Sequence, residues 1–439
     1  MSPPLPELIA QRLERDGPIG VAVIGAGKFA SMFLSQVPTS PHIEIVAIAD
    51  LDVDRARAAC RTVGWPQDMI AGTVFTDDGT FAIEHERTEV VIDATGSPAA
   101  GVRHARAAIA HGRHIVMVNV EADVLAGPLL AREARAAGVV YTMAYGDQPA
   151  LVAEMVDWAR TCGFDVVCAG KGTKYLPEYH ASTPDTVWPY YGMEPEEAEA
   201  AGMNPQMFNS FLDGTKSAIE MAAIANACGL DTPENGLLFP PCGDHELQTV
   251  LRPESAGGVL AQAGTVEVVS SLHRDGSPVE RDLRWGVYAV FQAPNDYTAQ
   301  CFRQYGLPTD DSGRYAALYR PYHLIGLELG VSVVNAAVRR EATGATRDWR
   351  GDVVAVAKRD LKAGEMLDGE GGYMVWGRLA PAAASVRLKA LPIGLAHGLA
   401  LTRDVAQGDV ITQDAVGALG NDEAAAVRLQ MERTFTPHS

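Results

Sequence analysis

The densest run of chemically capable side chains is Gly170-Lys171-Gly172-Thr173-Lys174-Tyr175-Leu176-Pro177-Glu178-Tyr179-His180, followed by Ser182-Thr183-Pro184-Asp185-Thr186-Val187-Trp188. Lysines, a histidine, carboxylates and hydroxyls stand there among glycines and prolines. Such a segment packs poorly in a core and serves well as a binding loop. Lys171 and Lys174 could polarise a carbonyl, donate a proton, or hold a phosphate or carboxylate. The plainer reading is a solvated basic loop. A second cluster runs from Asn204 through Asn209 to Glu220 and reads as helical from Asp213 onward. Asp213, Lys216 and Glu220 then fall at i, i+3 and i+7, on one face. That face supplies either a catalytic lysine between two carboxylates or a weak surface ion-pair stripe. A third cluster, Arg314 to His323, leads into Leu324–Val338, which is almost uncharged apart from Glu328 and reads as a buried helix. Arg320 and His323 would sit near its start, suited to an oxyanion or phosphate. Glu178, His180 and Asp185 could converge on a divalent cation, although no ligand motif compels it. Substrate contacts are therefore expected from His180, Asp185, Asn209, Arg320 and His323, and catalysis from Lys171, Lys174, Asp213 and Lys216.

The elements that must position these groups begin with a different motif. Ile19–Ile24 is a β-branched apolar run that suits a strand buried on both faces. Gly25-Ala26-Gly27-Lys28-Phe29-Ala30 follows at once and opens a helix. This GxGxxA pattern has the form of a dinucleotide-binding turn. Gly25 permits the tight bend, Gly27 lets backbone approach a pyrophosphate, and Ala30 keeps the helix close to its strand. A second strand, Ile43–Ala49, ends at Asp50, which can accept hydrogen bonds from an adenosine ribose and repel a 2′-phosphate. That favours NAD over NADP, and Arg55 or Arg57 could soften the preference. Further strands are expected at Val90–Thr95, His114–Val120 and Val139–Ala144. Repeated strand–helix units imply a doubly wound parallel sheet, with ligands at the carboxyl ends of the strands. Thr95, Gly96, Ser97, Asn119, Glu121, Gly146 and Asp147 fall at such ends and would line the nicotinamide half. Thr265–Leu272 and Leu283–Phe291 alternate like strands joined by a turn at His273–Ser277, predicting an antiparallel sheet; in such enzymes a sheet of this kind often forms a dimer interface, so a homodimer is expected.

Composition narrows the function classes. The chain has 439 residues and a formal net charge of −19. That balance argues against nucleic acid, whose phosphates need clustered Lys and Arg, and against an anionic membrane surface. It leaves room for an anionic small molecule held by a few local cations. Six cysteines lack any CxxC pair or zinc spacing, so free and mostly buried thiols in a reducing compartment are expected. The first residues lack the apolar stretch of a signal peptide, and a cytoplasmic location is expected.

Near Thr343 the composition shifts toward a small β-rich module. Asp352–Glu365 is echoed by Ala400–Ile411, each reading as strand, Arg-Asp, then a hydrophobic-x-x-Gly turn. This module, about Asp352 to Ala418, resembles a SAF domain. A second likeness, spanning most of the chain, is carried by Gly146-Asp147-Gln148-Pro149, the Gly170–Tyr175 and Ser182–Trp188 runs, Asp213-Gly214-Thr215-Lys216, Tyr319-Arg320-Pro321 and Leu367-Asp368-Gly369-Glu370-Gly371-Gly372-Tyr373. Together the chain resembles homoserine-dehydrogenase-like oxidoreductases with a C-terminal SAF domain, a family that includes deoxyxylulose-phosphate reductoisomerase-like enzymes. The resemblance implies an NAD(P)-dependent oxidoreductase acting on a small hydroxy-carbonyl compound, such as a phosphorylated ketose that is isomerised and then reduced. Reduction of a semialdehyde, or a dinucleotide sensor without turnover, are the alternatives. The expected architecture is an α/β Rossmann domain over 1–150, an α+β catalytic and dimerisation domain over 151–345 with helix 323–338 packing back on the first domain, and a SAF-like domain over 352–439.

Overall fold

The computed structural model describes residues 3–419 and 422–435. Residues 1–2, 420–421 and 436–439, which the domain boundaries above include, lie outside it. The chain divides into two compact units. One comprises Met1–Leu151 and His323–Arg347, the other Val152–Tyr322 and Asp348–Ser439.

The first unit is built on six parallel strands, β1 (Ile19–Ile24), β2 (Ile43–Ala49), β3 (Val74–Thr76), β4 (Val90–Asp93), β5 (His114–Met117) and β6 (Tyr141–Met143), in the order β3-β2-β1-β4-β5-β6. This is the doubly wound dinucleotide-binding order, with its switch point between β1 and β4. Helices α1 (Lys28–Leu34), α2 (Val53–Thr62), α3 (Pro98–Ala110) and α4 (Val120–Ala136) provide crossovers. Every residue of β1 is buried, as a strand covered on both faces must be. Each such Val or Ile side chain contributes about 1.5–3 kcal/mol by leaving water. β3 was not expected; with only Val74, Phe75 and Thr76 it is too short to show a period.

The expected helix over Leu324–Val338 is much shorter. A five-residue helix spans Gly330–Val334 and a π-helical turn spans Asn335–Arg339. Gly326 explains the delay. Its φ is +78°, and a Cβ there would lie 2.9 Å from the Phe29 carbonyl and 2.8 Å from Met32 Cβ. The backbone therefore passes tightly over α1 before it can coil. Arg320 and His323 consequently do not stand at a helix start.

The second unit carries a mixed sheet. Its strands β7 (Asp165–Thr173), β8 (Thr265–Ser270), β9 (Val287–Gln292) and β10 (Tyr315–Arg320) run in the order β10-β9-β7-β8. β8 and β9 are thus not a hairpin; β7 lies between them, parallel to β8 and antiparallel to β9. Two glycines make this possible. A Cβ on Gly170 would fall 1.8 Å from the Glu267 carbonyl oxygen, and one on Gly172 would fall 1.8 Å from that of Leu283.

Helix α5 (Pro205–Leu212) precedes α6 (Thr215–Cys228). All of α6 except Lys216 is buried, so the surface-stripe reading of this segment is overturned. The helix packs against β7 and β8 and also against a C-terminal pair, β11 (Gly351–Ala357) and β13 (Val375–Pro381), which are antiparallel. β12 (Met366–Asp368) pairs with β14 (His397–Ala400). The sequence echo is reciprocal in space. Leu361 bridges Val405, Asp404 accepts from the Ala363 amide, and Asp360 accepts from the Gln407 amide. Each Arg-Asp thereby caps the other's turn. All six cysteines are free thiols, four of them buried.

Candidate functional site

In the first unit the glycine-rich turn has the shape its motif requires. Gly25 has φ +92°, and a Cβ would lie 2.6 Å from the Ala94 carbonyl oxygen. Above Gly27 there is open space, where a Cβ would meet nothing within 4 Å. Lys28 and Phe29 open α1, and Ala30 is buried against the sheet. These residues fit a pyrophosphate approached by backbone N–H groups.

Asp50 ends β2, but its carboxylate is already engaged. Oδ2 accepts from the Ala26 amide at 2.7 Å, and Oδ1 accepts from the Asp52 amide at 2.9 Å and from Arg55 Nη2 at 2.7 Å. The Arg55 guanidinium itself is largely exposed.

The ends of β4 and β5 are tied by a buried network. Asp93 accepts from the Thr95 hydroxyl at 2.9 Å and pairs with His104 Nδ1 at 2.6 Å. Asn119 caps α4 and donates through Nδ2 to the Ser97 carbonyl at 2.8 Å. Thr95, Gly96, Ser97 and Asn119 thus form one connected rim, and Glu121 lies in the first turn of α4. Asp93 and His104, which organise that rim, were not anticipated, because a lone Asp in an apolar strand and a lone His in a helix carry no spacing signal. Gly146 has φ +92° and packs under the Leu324 carbonyl. Asp147 follows, buried, its Oδ1 accepting from the Gln148 amide at 2.8 Å. A small cavity lined by Met117, Asp123, Met143 and Asp147 opens beside it. Burial pushes the Asp123 carboxyl up to about 6, although Tyr141 and Thr346 donate to it. His323 is half-buried in this unit.

In the second unit Lys171 stands on central strand β7 and forms a buried ion pair with Glu220 of α6. Asp213, expected inside that helix, instead follows α5, and Gly214 with φ +91° separates it from α6. Its carboxylate pairs with Lys358 from β11's end at 2.8 Å, a charge contact rather than an aligned hydrogen bond. Lys358 also donates to the Ser182 and Gly372 carbonyls, each at 2.7 Å. Lys216 is half-buried on α6.

Lys174 donates to the Tyr190 carbonyl. Its ammonium lies 6.0 Å from the Tyr191 ring centre, and the Arg284 guanidinium lies 5.9 Å from the same centre. Burial first, and Arg284 second, lower the Lys174 pKa. Among the described residues neither cation forms a salt bridge with a carboxylate. Arg320 packs over Tyr322 at the end of β10.

His180 has both ring nitrogens committed. Nδ1 meets the Asp213 carbonyl at 2.7 Å and Nε2 meets the Tyr175 hydroxyl at 2.9 Å. Its ring stacks on Trp376 at 3.8 Å. Asp185 accepts from the Tyr373 hydroxyl at 2.8 Å. Buried Asn209 donates to the Ser182 and Gly371 carbonyls. Among the described residues no three His, Cys, Asp or Glu side chains gather as a metal site, so Glu178, His180 and Asp185 do not form one.

Lys358, Gly371, Tyr373 and Trp376 are therefore part of this constellation, though sequence reading assigned them to a separate module. In the Gly-rich run at 369–372 a Cβ on Gly371 would sit 2.0 Å from the Gln206 carbonyl oxygen.

Comparison with known proteins places these features. The model of the oxidoreductase DRL catalytic domain matches residues 146–329, and that of the homoserine dehydrogenase NAD-binding domain matches residues 25–143. No curated protein matches the chain. Among solved structures, KijD10, a 3-ketoreductase from Actinomadura kijaniata in complex with NADP and TDP-benzene, aligns at 18% identity and TM-score 0.26 over 37% of this chain and 49% of its own. Myo-inositol dehydrogenase from Lactobacillus casei in complex with NAD(H) and myo-inositol aligns at 15% and 0.30, over 39% and 50%. A probable dehydrogenase from Thermotoga maritima aligns at 14% and 0.39, over 74% and 90%. The chain spans about half the length of the first two. No helix among the described residues is long and apolar enough to cross a membrane. A dinucleotide-binding sheet in the first unit matches the homoserine dehydrogenase NAD-binding model, and the lysine-bearing strand of the second lies within the DRL catalytic match; the two matches support a homoserine-dehydrogenase-like oxidoreductase.

Proposed function

We propose that this chain reduces a carbonyl, or forms one, in a small anionic hydroxy-carbonyl compound, and that the compound is a phosphorylated ketose rearranged before reduction. The observation that carries this reading is the cation content of β7 and its flanks. Lys171 keeps a buried carboxylate partner in Glu220, whereas Lys174 and Arg284 share the Tyr191 ring without one. Two cations held without a carboxylate on a chain of net charge −19 suit a phosphate or carboxylate group.

When bound, the nicotinamide supplies or accepts the hydride. Gly25, Gly27, Lys28, Phe29 and Ala30 would seat its pyrophosphate, and Thr95, Gly96, Ser97, Asn119, Glu121, Gly146 and Asp147 would border its ring. Arg55 neutralises Asp50, which removes the repulsion a 2′-phosphate would meet and leaves an exposed guanidinium to receive it, so NADP is accepted. Lys171 polarises the carbonyl and donates its proton, with Glu220 as its buried ion-pair partner. Lys216 with Asp213 is the second candidate pair. Arg320 and His323 remain candidates for the anionic group.

The test is absorbance of the reduced nicotinamide with keto sugars, sugar phosphates and aspartate semialdehyde, using NADH and NADPH. Turnover on a ketose phosphate is expected. Lys171→Ala should abolish turnover with cofactor affinity nearly unchanged. Turnover on the semialdehyde alone would favour the dehydrogenase reading; cofactor binding without any turnover would favour a sensor.

A further inference from the structure

Tyr175 and His180 lie outside the lysine chemistry just described, and both ring nitrogens of His180 are hydrogen-bonded. The Asp213 carbonyl oxygen can only accept, so His180 Nδ1 carries the proton of that 2.7 Å bond. The neutral ring then offers a lone pair at Nε2, and the Tyr175 hydroxyl donates to it at 2.9 Å. No other side-chain partner of that hydroxyl is present among the described residues. We propose that Tyr175 and His180 form a proton relay, in which the Tyr175 hydroxyl meets a hydroxyl of the substrate and His180 is the positioning residue behind it.

The proposal rests on the oxidoreductase reading, and it supplies what Lys171 does not. Rearranging a hydroxy-ketone begins with loss of a hydroxyl proton, which needs a base, whereas a lysine paired with a carboxylate is an acid. In the relay the substrate O–H gives its proton to Tyr175 Oη as the phenolic proton passes to His180 Nε2. One O–H bond breaks at the substrate, one N–H bond forms at the imidazole, and the same proton returns to an oxygen of the product. A base held beside the group it activates is the usual arrangement for such transfer.

The surroundings suit an imidazolium that appears and disappears. The ring lies flat on Trp376, and aromatic faces attract cations. The Asp213 carboxylate and Lys358 face it as a neutral pair. Burial keeps the resting ring neutral by lowering its pKa. Tyr175 stacks on Phe239 at 3.9 Å, with the Arg274 guanidinium 5.4 Å from its ring centre; Glu178 and Glu267 are the nearby carboxylates. Gly214 is required here: its φ is +91°, and a Cβ would press on His180 Cε1 at 3.2 Å.

The test uses the full chain with 15N-labelled histidine and Tyr175→Phe, which keeps the ring stack and removes only the hydroxyl. The wild-type His180 signal should report protonated Nδ1 and bare Nε2. In Tyr175→Phe its titration should move upward, because the neutral ring loses its donor. With a turnover substrate, Tyr175→Phe should lower kcat by about 10²–10⁴-fold with KM little changed, and His180→Gln should remove the acidic limb of the kcat/KM profile. Should Tyr175→Phe not fold, Trp376→Leu should move the titration downward by withdrawing the ring that favours the imidazolium. A protonated Nε2, or an unmoved titration in the variant that folds, overturns the relay. Absence of any wild-type turnover overturns the oxidoreductase reading and leaves the spectroscopic result to judge the hydrogen-bonded pair.

Discussion

Lys358→Met tests whether the C-terminal module and the DRL-matched segment form one energetic unit. Methionine keeps the length and apolar stem of lysine, so packing changes little. What disappears is an ammonium whose side chain is 2% exposed, facing a carboxylate that is fully buried. Three contacts go with it: Asp213 Oδ2, the Ser182 carbonyl and the Gly372 carbonyl. The Ser182 carbonyl keeps Asn209 as a donor, and Asp213 Oδ1 keeps the Thr215 amide. Oδ2 and the Gly372 carbonyl keep none among the described residues. Removing one partner of a buried pair costs about 3–5 kcal/mol, and an orphaned carbonyl adds about 1–3 kcal/mol. Since part of the strain relaxes, about 4 kcal/mol is expected in total. The assay is urea unfolding followed by tryptophan fluorescence and far-UV circular dichroism. Trp188 and Trp376 lie in the second unit, so a separate transition of that unit would be visible. Asp213→Asn in the Lys358→Met background should cost less than the sum of the two changes, with a coupling of about 1–3 kcal/mol. A loss under about 1 kcal/mol, or strict additivity, would refute the claim that this pair is dry and mutually dependent.

Two further outcomes follow from the first unit. Arg55→Ala leaves the Asp50 charge unopposed and removes a charge-assisted donor of about 1.5–3 kcal/mol, so NADPH binding should weaken about tenfold or more relative to NADH in fluorescence titrations; an unchanged ratio would remove Arg55 from cofactor choice. Asp123 has a folded pKa raised to about 6, above the unfolded value of about 3.9. Its neutral form therefore favours the folded state at low pH, and that contribution fades as pH rises through the folded value. A shift of about two units corresponds to about 3 kcal/mol. The stability advantage of Asp123→Asn over wild type should grow between pH of about 4 and 6 and then level off, and parallel curves would contradict this.

Much of the first unit was legible because its signals are local. A glycine pair, a β-branched run and an acidic strand end act within about 25 residues, and each constrains backbone directly. The sheet order extends that logic, since short right-handed crossovers leave few topologies. The lysine-rich run stood out by composition, but as a loop; Lys171 instead stands inside strand β7, buried and paired with Glu220.

What the sequence by itself determined, then, was the class of fold, the glycine-rich turn after β1 and the segment rich in acid–base groups. Tertiary structure decided which groups pair. Asp213 meets Lys358 rather than a neighbour on its own helix, His180 lies on Trp376, and Asp185 holds Tyr373. These partners are separated by well over a hundred residues, beyond any periodicity. It also decided what is interior: α6 carries Lys216 and Glu220 at a spacing that reads as a solvated stripe, but β7 and β8 of the sheet and the C-terminal strands β11 and β13 all pack on it. Helical spacing fixes which residues share a face. Only the three-dimensional packing fixes what that face touches, and burial turns an ordinary ion pair into a committed one.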